Sequence, residues 1–137
     1  MCLFAVTVIL PPLPEVSVIL ICRFVIDAAS AEDFLVRARR ALSLLTAQPG
    51  CLGGQLGRSP DDVTRWVLAV QFNSVVAYRR ALSPFDVREH VVPLLSEALT
   101  GEPGSYEVLA AGQGGAVTDH GSLLAGDADR GFGFSAR

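Results

Sequence analysis

A strand, helix, strand, strand, helix, strand order, a first strand apolar on both faces and one amphipathic helix together predict a ferredoxin-like split βαβ fold over residues 16–110. This is an α+β class, with a four-stranded antiparallel sheet carrying its helices on one face.

Val16 to Ile26 is β-branched and almost wholly apolar, broken only by Ser17 and Arg23, which suits a strand covered on both faces. Ser30 to Ala47 reads as a helix, because Phe34, Ala38, Ala41, Leu42 and Leu45 recur at helical spacing and form one stripe. Ser30 and Asp33 have the spacing of a capping box, and Pro49-Gly50 stops the helix. Leu52 to Arg58 reads as a second strand, loosened by Gly53, Gly54 and Gly57, and Ser59-Pro60-Asp61-Asp62 as a turn. In the third strand, Thr64 to Phe72, one face carries Trp66, Leu68, Val70 and Phe72. The other carries Arg65, Val67, Ala69 and Gln71. Asn73-Ser74 caps a short helix to Leu82. A further helix restarts with Ser83 as cap and Pro84 at its first position, and Pro93 is expected to kink or split it. Ser105 to Ala110 is the fourth strand.

Both faces of the central strands are apolar, yet the helices of such a fold cover only one. The bare face is therefore expected to meet the sheet of a second copy, giving a homodimer. Outside this domain, residues 1–15 read as an apolar, Pro-rich extension set apart by Pro11, Pro12 and Pro14. Residues 111–137 are Gly-rich and without period, and are expected to be a disordered tail.

The 137 residues fit one domain, and a 50% hydrophobic content is ample for a core. Every basic residue is arginine, which with the abundance of Ala, Gly and Val reads as a compositional bias. A net charge of −3 argues against a nucleic-acid partner, which requires a basic face. The apolar opening is too short to span a bilayer, and no later stretch does so, so no membrane association is expected. Cys2, Cys22 and Cys51 are odd in number and widely spaced, arguing against a disulfide framework or a zinc site and for a reducing cytoplasm.

Several segments together resemble the antibiotic biosynthesis monooxygenase family over about Val16 to Ala110. They are the first strand ending in Phe24-Val25-Ile26-Asp27, the turn Gln48-Pro49-Gly50-Cys51-Leu52-Gly53, and the run from Arg65 to Ser74. Ala77-Tyr78, Leu82-Ser83 and Val87 to His90 complete the pattern. The resemblance implies a dimeric α/β barrel and a cofactor-independent monooxygenase. Its substrate would be an aromatic polycyclic phenol or quinol, and its oxidant dioxygen with no metal or prosthetic group. In that chemistry a phenol or anthrone is deprotonated and the carbanion passes an electron directly to oxygen. The protein supplies a dry pocket and a polar group that steadies the anion. The same fold family includes haem-degrading enzymes that use a first-strand asparagine, a third-strand tryptophan and a haem-ligating histidine. Here Cys22 and Phe72 stand at the first two positions and His90 near the third, which disfavours haem.

For the oxidation, His90 is the candidate base, the one histidine within the domain. Arg23, isolated in an apolar strand, is the candidate for steadying an oxyanion; alternatively it faces outward, or pairs with an acid across the dimer. Tyr78 can hydrogen-bond a substrate through its hydroxyl. Trp66 and Phe72 are candidate stacking surfaces for a flat ligand, with Asn73 beside them; core packing and helix capping are the plainer readings of these three. A non-catalytic dimeric module that binds a hydrophobic small molecule is the alternative function.

Overall fold

In a computed structural model, which describes residues 15–122, the predicted sheet forms in the order β2-β3-β1-β4. The expectations for residues 1–14 and 123–137 lie outside the described residues.

Strand β1 (Val18–Val25) runs antiparallel to β3 (Arg65–Phe72), in register from Val18 opposite Phe72 to Val25 opposite Arg65. Strand β2 (Cys51–Arg58) lies on the other side of β3, with a register shift between Cys51 and Gly53. The three-residue β4 (Ser105–Glu107) pairs with Val18 to Leu20. Helix α1 (Ala31–Thr46) packs Phe34, Ala38, Ala41 and Leu45, all fully buried, against the sheet. They meet Leu20, Phe24, Leu68, Val70 and Phe72, the strand positions of matching parity. Gly54 lets α1 come close, since a Cβ there would stand 2.9 Å from Leu42 Cδ1. Helices α2 (Val75–Ala81), α3 (Phe85–His90) and α4 (Val92–Leu95) close the same layer through Ala81, Val87 and Leu94.

Side chains of the opposite parity, Ile19, Ile21, Val67, Ala69 and Gln71, occupy the face without helices and are half-buried in the single chain. Glycines at 53 and 57 leave the β2 side of that face low, and Gln71 Nε2 donates to Gln55 Oε1 at 3.2 Å.

Three local details refine or depart from the sequence expectations. Ser30 makes no capping hydrogen bond, because a 3-10 turn over Ala28–Ser30 already leads the chain into α1. Asp33 instead accepts from Arg37 Nε at 3.0 Å. Ser74 rather than Asn73 caps α2, accepting from Ala77 N at 3.0 Å. Pro84 is the residue before α3 rather than its first residue, while Ser83 Oγ donates to Arg80 O. Pro93 does split the following segment, at Val91. β4 ends at Glu107, short of the expected Ala110, and where residues 111 onward are expected to be a tail without structure the chain forms a hairpin, β5 (Ala110–Gln113) with β6 (Ala116–Asp119). Gly114 and Gly115, both at positive φ, make its two-residue turn. Short polar turn chemistry, not apolar periodicity, builds this element, so a search for hydrophobic period passes over it.

Candidate functional site

One opening beside the sheet, of about 430 Å³ against about 640 Å³ for a cleft at the other end of β1, lies along the edge of β1 that β4 leaves uncovered. β4 covers only the start of β1, and from there the chain runs on as a loop beside it. Ile21 N donates to Gly104 O at 2.6 Å, and Leu99 N donates to Arg23 O at 2.7 Å. Between this loop and β1 is a cavity of about 430 Å³. Cys22, Leu95, Ala98 and Leu99 give it apolar walls, and Arg23 and Glu102 are its charged members. Arg23 Nη1 stands 3.4 Å from Glu102 Oε1, with both side chains more than half exposed. Arg23 thus faces outward, one of the readings open from sequence, and its acid partner lies in its own chain rather than across a dimer. Arg23 is not buried within the strand. Burial pushes the Cys22 thiol above its ordinary range, so it stays neutral and behaves as part of the apolar wall.

Only one of the three expected catalytic residues, Arg23, lines this cavity. Tyr78 sits near the opposite end of β1, edge-on to Phe72 at 5.6 Å between ring centroids. It lines a separate cleft with Val18, Arg79 and Tyr106. His90 ends α3 on the outer helical layer, its Nδ1 3.4 Å from Arg40 Nη1 and its Nε2 3.5 Å from Glu89 Oε1. The structure therefore does not bring Arg23, Tyr78 and His90 together.

The expected stacking surfaces also divide. Phe72 is fully buried in the core. Asn73 is exposed and donates its backbone N–H to Gly50 O at 2.9 Å. Gly50 has φ of +84°, and a Cβ there would collide with Ala77 and crowd Asn73, so this turn admits only glycine. Trp66 is edge-on to Phe34 at 5.4 Å, and the Arg58 guanidinium lies over its indole at 5.3 Å.

Two charged residues of these openings escape sequence reasoning. Glu102 lies in a Gly-Glu-Pro-Gly loop without periodicity, and only the fold sets it against Arg23. Arg58 ends β2, and sequence reasoning uses it only as the bound of that strand. Among the described residues no three His, Cys, Asp or Glu side chains cluster to share a metal, and no helix is long and apolar enough to cross a membrane.

A split βαβ sheet with a bare face and a cavity along its first strand defines a ferredoxin-like α+β domain. Residues 17–92 match the family model of the antibiotic biosynthesis monooxygenases, and the chain belongs to that family. Among solved structures, it is similar to SnoaB, a cofactor-independent oxygenase from Streptomyces nogalater. The identity is 25%, over 80% of this chain and 98% of that one, with a TM-score of 0.56. A variant of SnoaB gives 27% identity over 67% of this chain and 92% of that one, with a TM-score of 0.57. Rv0793 from Mycobacterium tuberculosis shares the fold at 18% identity, with a TM-score of 0.56 over 71% of this chain and 97% of that one. No curated protein matches the chain.

Proposed function

We propose that this chain is a cofactor-independent monooxygenase that oxidises an aromatic phenol, quinol or anthrone with dioxygen in the cavity beside β1. The observation that carries the reading is the cavity itself. Its volume of about 430 Å³ falls within the roughly 300–1,000 Å³ usual for small-molecule sites. Its walls are mainly apolar, with Ser96 and Thr100 among them, and its one cation and one carboxylate sit as a pair. Family membership and the likeness to SnoaB supply the reaction class.

In this reading Glu102 takes the acidic proton of the substrate and Arg23, released from the pair, steadies the resulting anion. The anion transfers an electron to dioxygen, and the two radicals combine at carbon. For an anthrone the balance is one methylene plus one dioxygen giving one carbonyl and one water, with no external reductant. The half-buried apolar face supports a sheet-to-sheet homodimer as the working form.

The test is oxygen consumption by the purified chain with a panel of anthrones and naphthoquinols. Saturable uptake is expected, falling roughly tenfold or more in Arg23→Ala, on the scale of losing an oxyanion donor. His90→Ala is expected to stay within about twofold, because His90 does not line the cavity. The second reading, a dimeric binding module without turnover, is favoured by the placement of His90 and Tyr78 outside the cavity. It predicts ligand binding with no uptake above blank.

A further inference from the structure

We infer that the uncovered edge of β1 selects the substrate through its main chain. The Ile21 C=O and the Arg23 N–H, both of residues that line the cavity, receive two neighbouring oxygens on one aromatic ring. One of these oxygens stays a hydroxyl, and the other is the one that loses its proton. The inference rests on the cavity reading above and narrows it to an aromatic ring bearing vicinal oxygens.

Strand geometry decides where these groups point. The N–H and C=O of one strand residue point to the same side, and that side alternates along the chain. Ile26 N donates to Thr64 O, and Ile21 N donates to Gly104 O. Even-numbered residues of β1 therefore bond towards β3, and odd-numbered ones face β4 and its loop. β4 pairs with β1 only as far as Leu20. Past that point the loop returns to β1 twice, through the Ile21 N to Gly104 O bond at 2.6 Å and the Leu99 N to Arg23 O bond at 2.7 Å. Between those two bonds stand the Ile21 C=O and the Arg23 N–H, and among the described residues neither has a hydrogen-bond partner. Strand backbone groups left without a protein partner are uncommon and must be met by solvent or a ligand.

An acceptor and a donor on one strand edge match a ligand that carries a donor and an acceptor side by side. The two loop bonds close the gap at both ends, so it takes the edge of a ring and not an added strand. Gly104 keeps the approach to the Ile21 carbonyl clear, since a Cβ there would stand 3.8 Å from that oxygen. Leu95, Ala98 and Leu99 offer apolar surface for the rest of the ring. The hydroxyl that keeps its proton donates to the Ile21 C=O. Its neighbour gives its proton to the Glu102 carboxylate, and the oxyanion left behind accepts from the Arg23 N–H. A donor fixed in a strand needs no reorganisation as that charge develops.

The experiment follows the backbone amides of the full chain by NMR, with 2,3-dihydroxynaphthalene as probe and 2-naphthol as comparison. Working under nitrogen separates binding from turnover. In the free protein the Arg23 amide proton should exchange with solvent about tenfold or more faster than that of Ile21, which is bonded. Saturating diol should shift the Arg23 amide resonance and slow its exchange. The diol should bind about tenfold more tightly than 2-naphthol, the scale of one hydrogen bond. Arg23→Ala keeps the main-chain N–H and should keep that preference. Arg23→Pro removes the N–H where the strand makes no ladder bond, and should lose it. Circular dichroism confirms that each variant is folded. Equal exchange at Ile21 and Arg23, an Arg23 resonance unmoved at saturation, equal affinity for the two naphthols, or a folded Arg23→Pro variant that keeps the preference would each overturn the inference. Diol binding with these shifts but no oxygen uptake would remove the oxidation and leave the main-chain site standing; uptake with an unmoved Arg23 amide would do the reverse.

Discussion

The two faces of the sheet are built from the same strands, one residue apart, and have little else in common. On the helical face, Leu20, Phe24, Leu68, Val70 and Phe72 are sealed beneath α1. On the other, Ile19, Ile21, Val67 and Ala69 remain half-buried, and the cationic side chains Arg23 and Arg65 gather at one end. Because strand side chains alternate strictly, a single β1 sequence delivers Cys22 to an apolar wall and its neighbour Arg23 to solvent. Stability is therefore written into one parity of the strand and interaction into the other.

The sharpest test of that division is a truncation on the sealed face. Leu68→Ala removes a side chain with no exposure, and urea denaturation should register a loss of about 2–5 kcal/mol. On the bare face, Ile21→Ala should cost only about 1 kcal/mol in dilute solution, since the side chain is already half in water. Its larger effect should be on association: sedimentation is expected to show a weakened dimer. Equal losses at the two sites, or a single-chain mass for the wild type at micromolar concentration, would break the contrast.

The smallest effect concerns the arginine end. Hydrogen bonds from the Thr64 hydroxyl and backbone N–H hold the Asp62 carboxyl below its ordinary value, with Arg65 adding to the effect. A lowered value in the fold means that Asp62 favours the folded chain above the ordinary carboxylate range. That contribution is lost as pH falls through the folded value. In Thr64→Val the Asp62 carboxyl should titrate closer to 3.8, as followed by NMR, with little change in stability at neutral pH. An unmoved titration would assign the shift to the backbone N–H of residue 64 and to Arg65 rather than to the hydroxyl.

These parities were legible in the sequence because burial imposes them. The alternation of Trp66, Leu68, Val70 and Phe72 and the stripe through Phe34, Ala38, Ala41 and Leu45 mark the core face directly. The α3–α4 break at Pro93 follows from a missing N–H. The openings were legible only in part. Arg23 announced itself as a charge in an apolar strand, but its partner Glu102 lies 79 residues away, in a loop with no pattern to read. Arg58 over Trp66 is likewise a cross-strand pairing that exists only once the β2–β3 register is set. His90 drew attention as the lone histidine of the domain, yet uniqueness in a sequence carries no information about position.

The β5–β6 hairpin has a consequence for how the protein behaves when concentrated. Every residue of its two strands is exposed. Two short strands with open edges are a template on which another chain can add a strand, and so a starting point for fibrous assembly. Glycine at 112 and Asp119 make these edges poor seeds, the glycine because it offers no side chain to interlock and the aspartate because stacked copies repel. Valine or isoleucine at position 112 or 119 would keep the hairpin and remove that protection. Selection on this segment would then act through solubility during synthesis rather than through the fold it decorates.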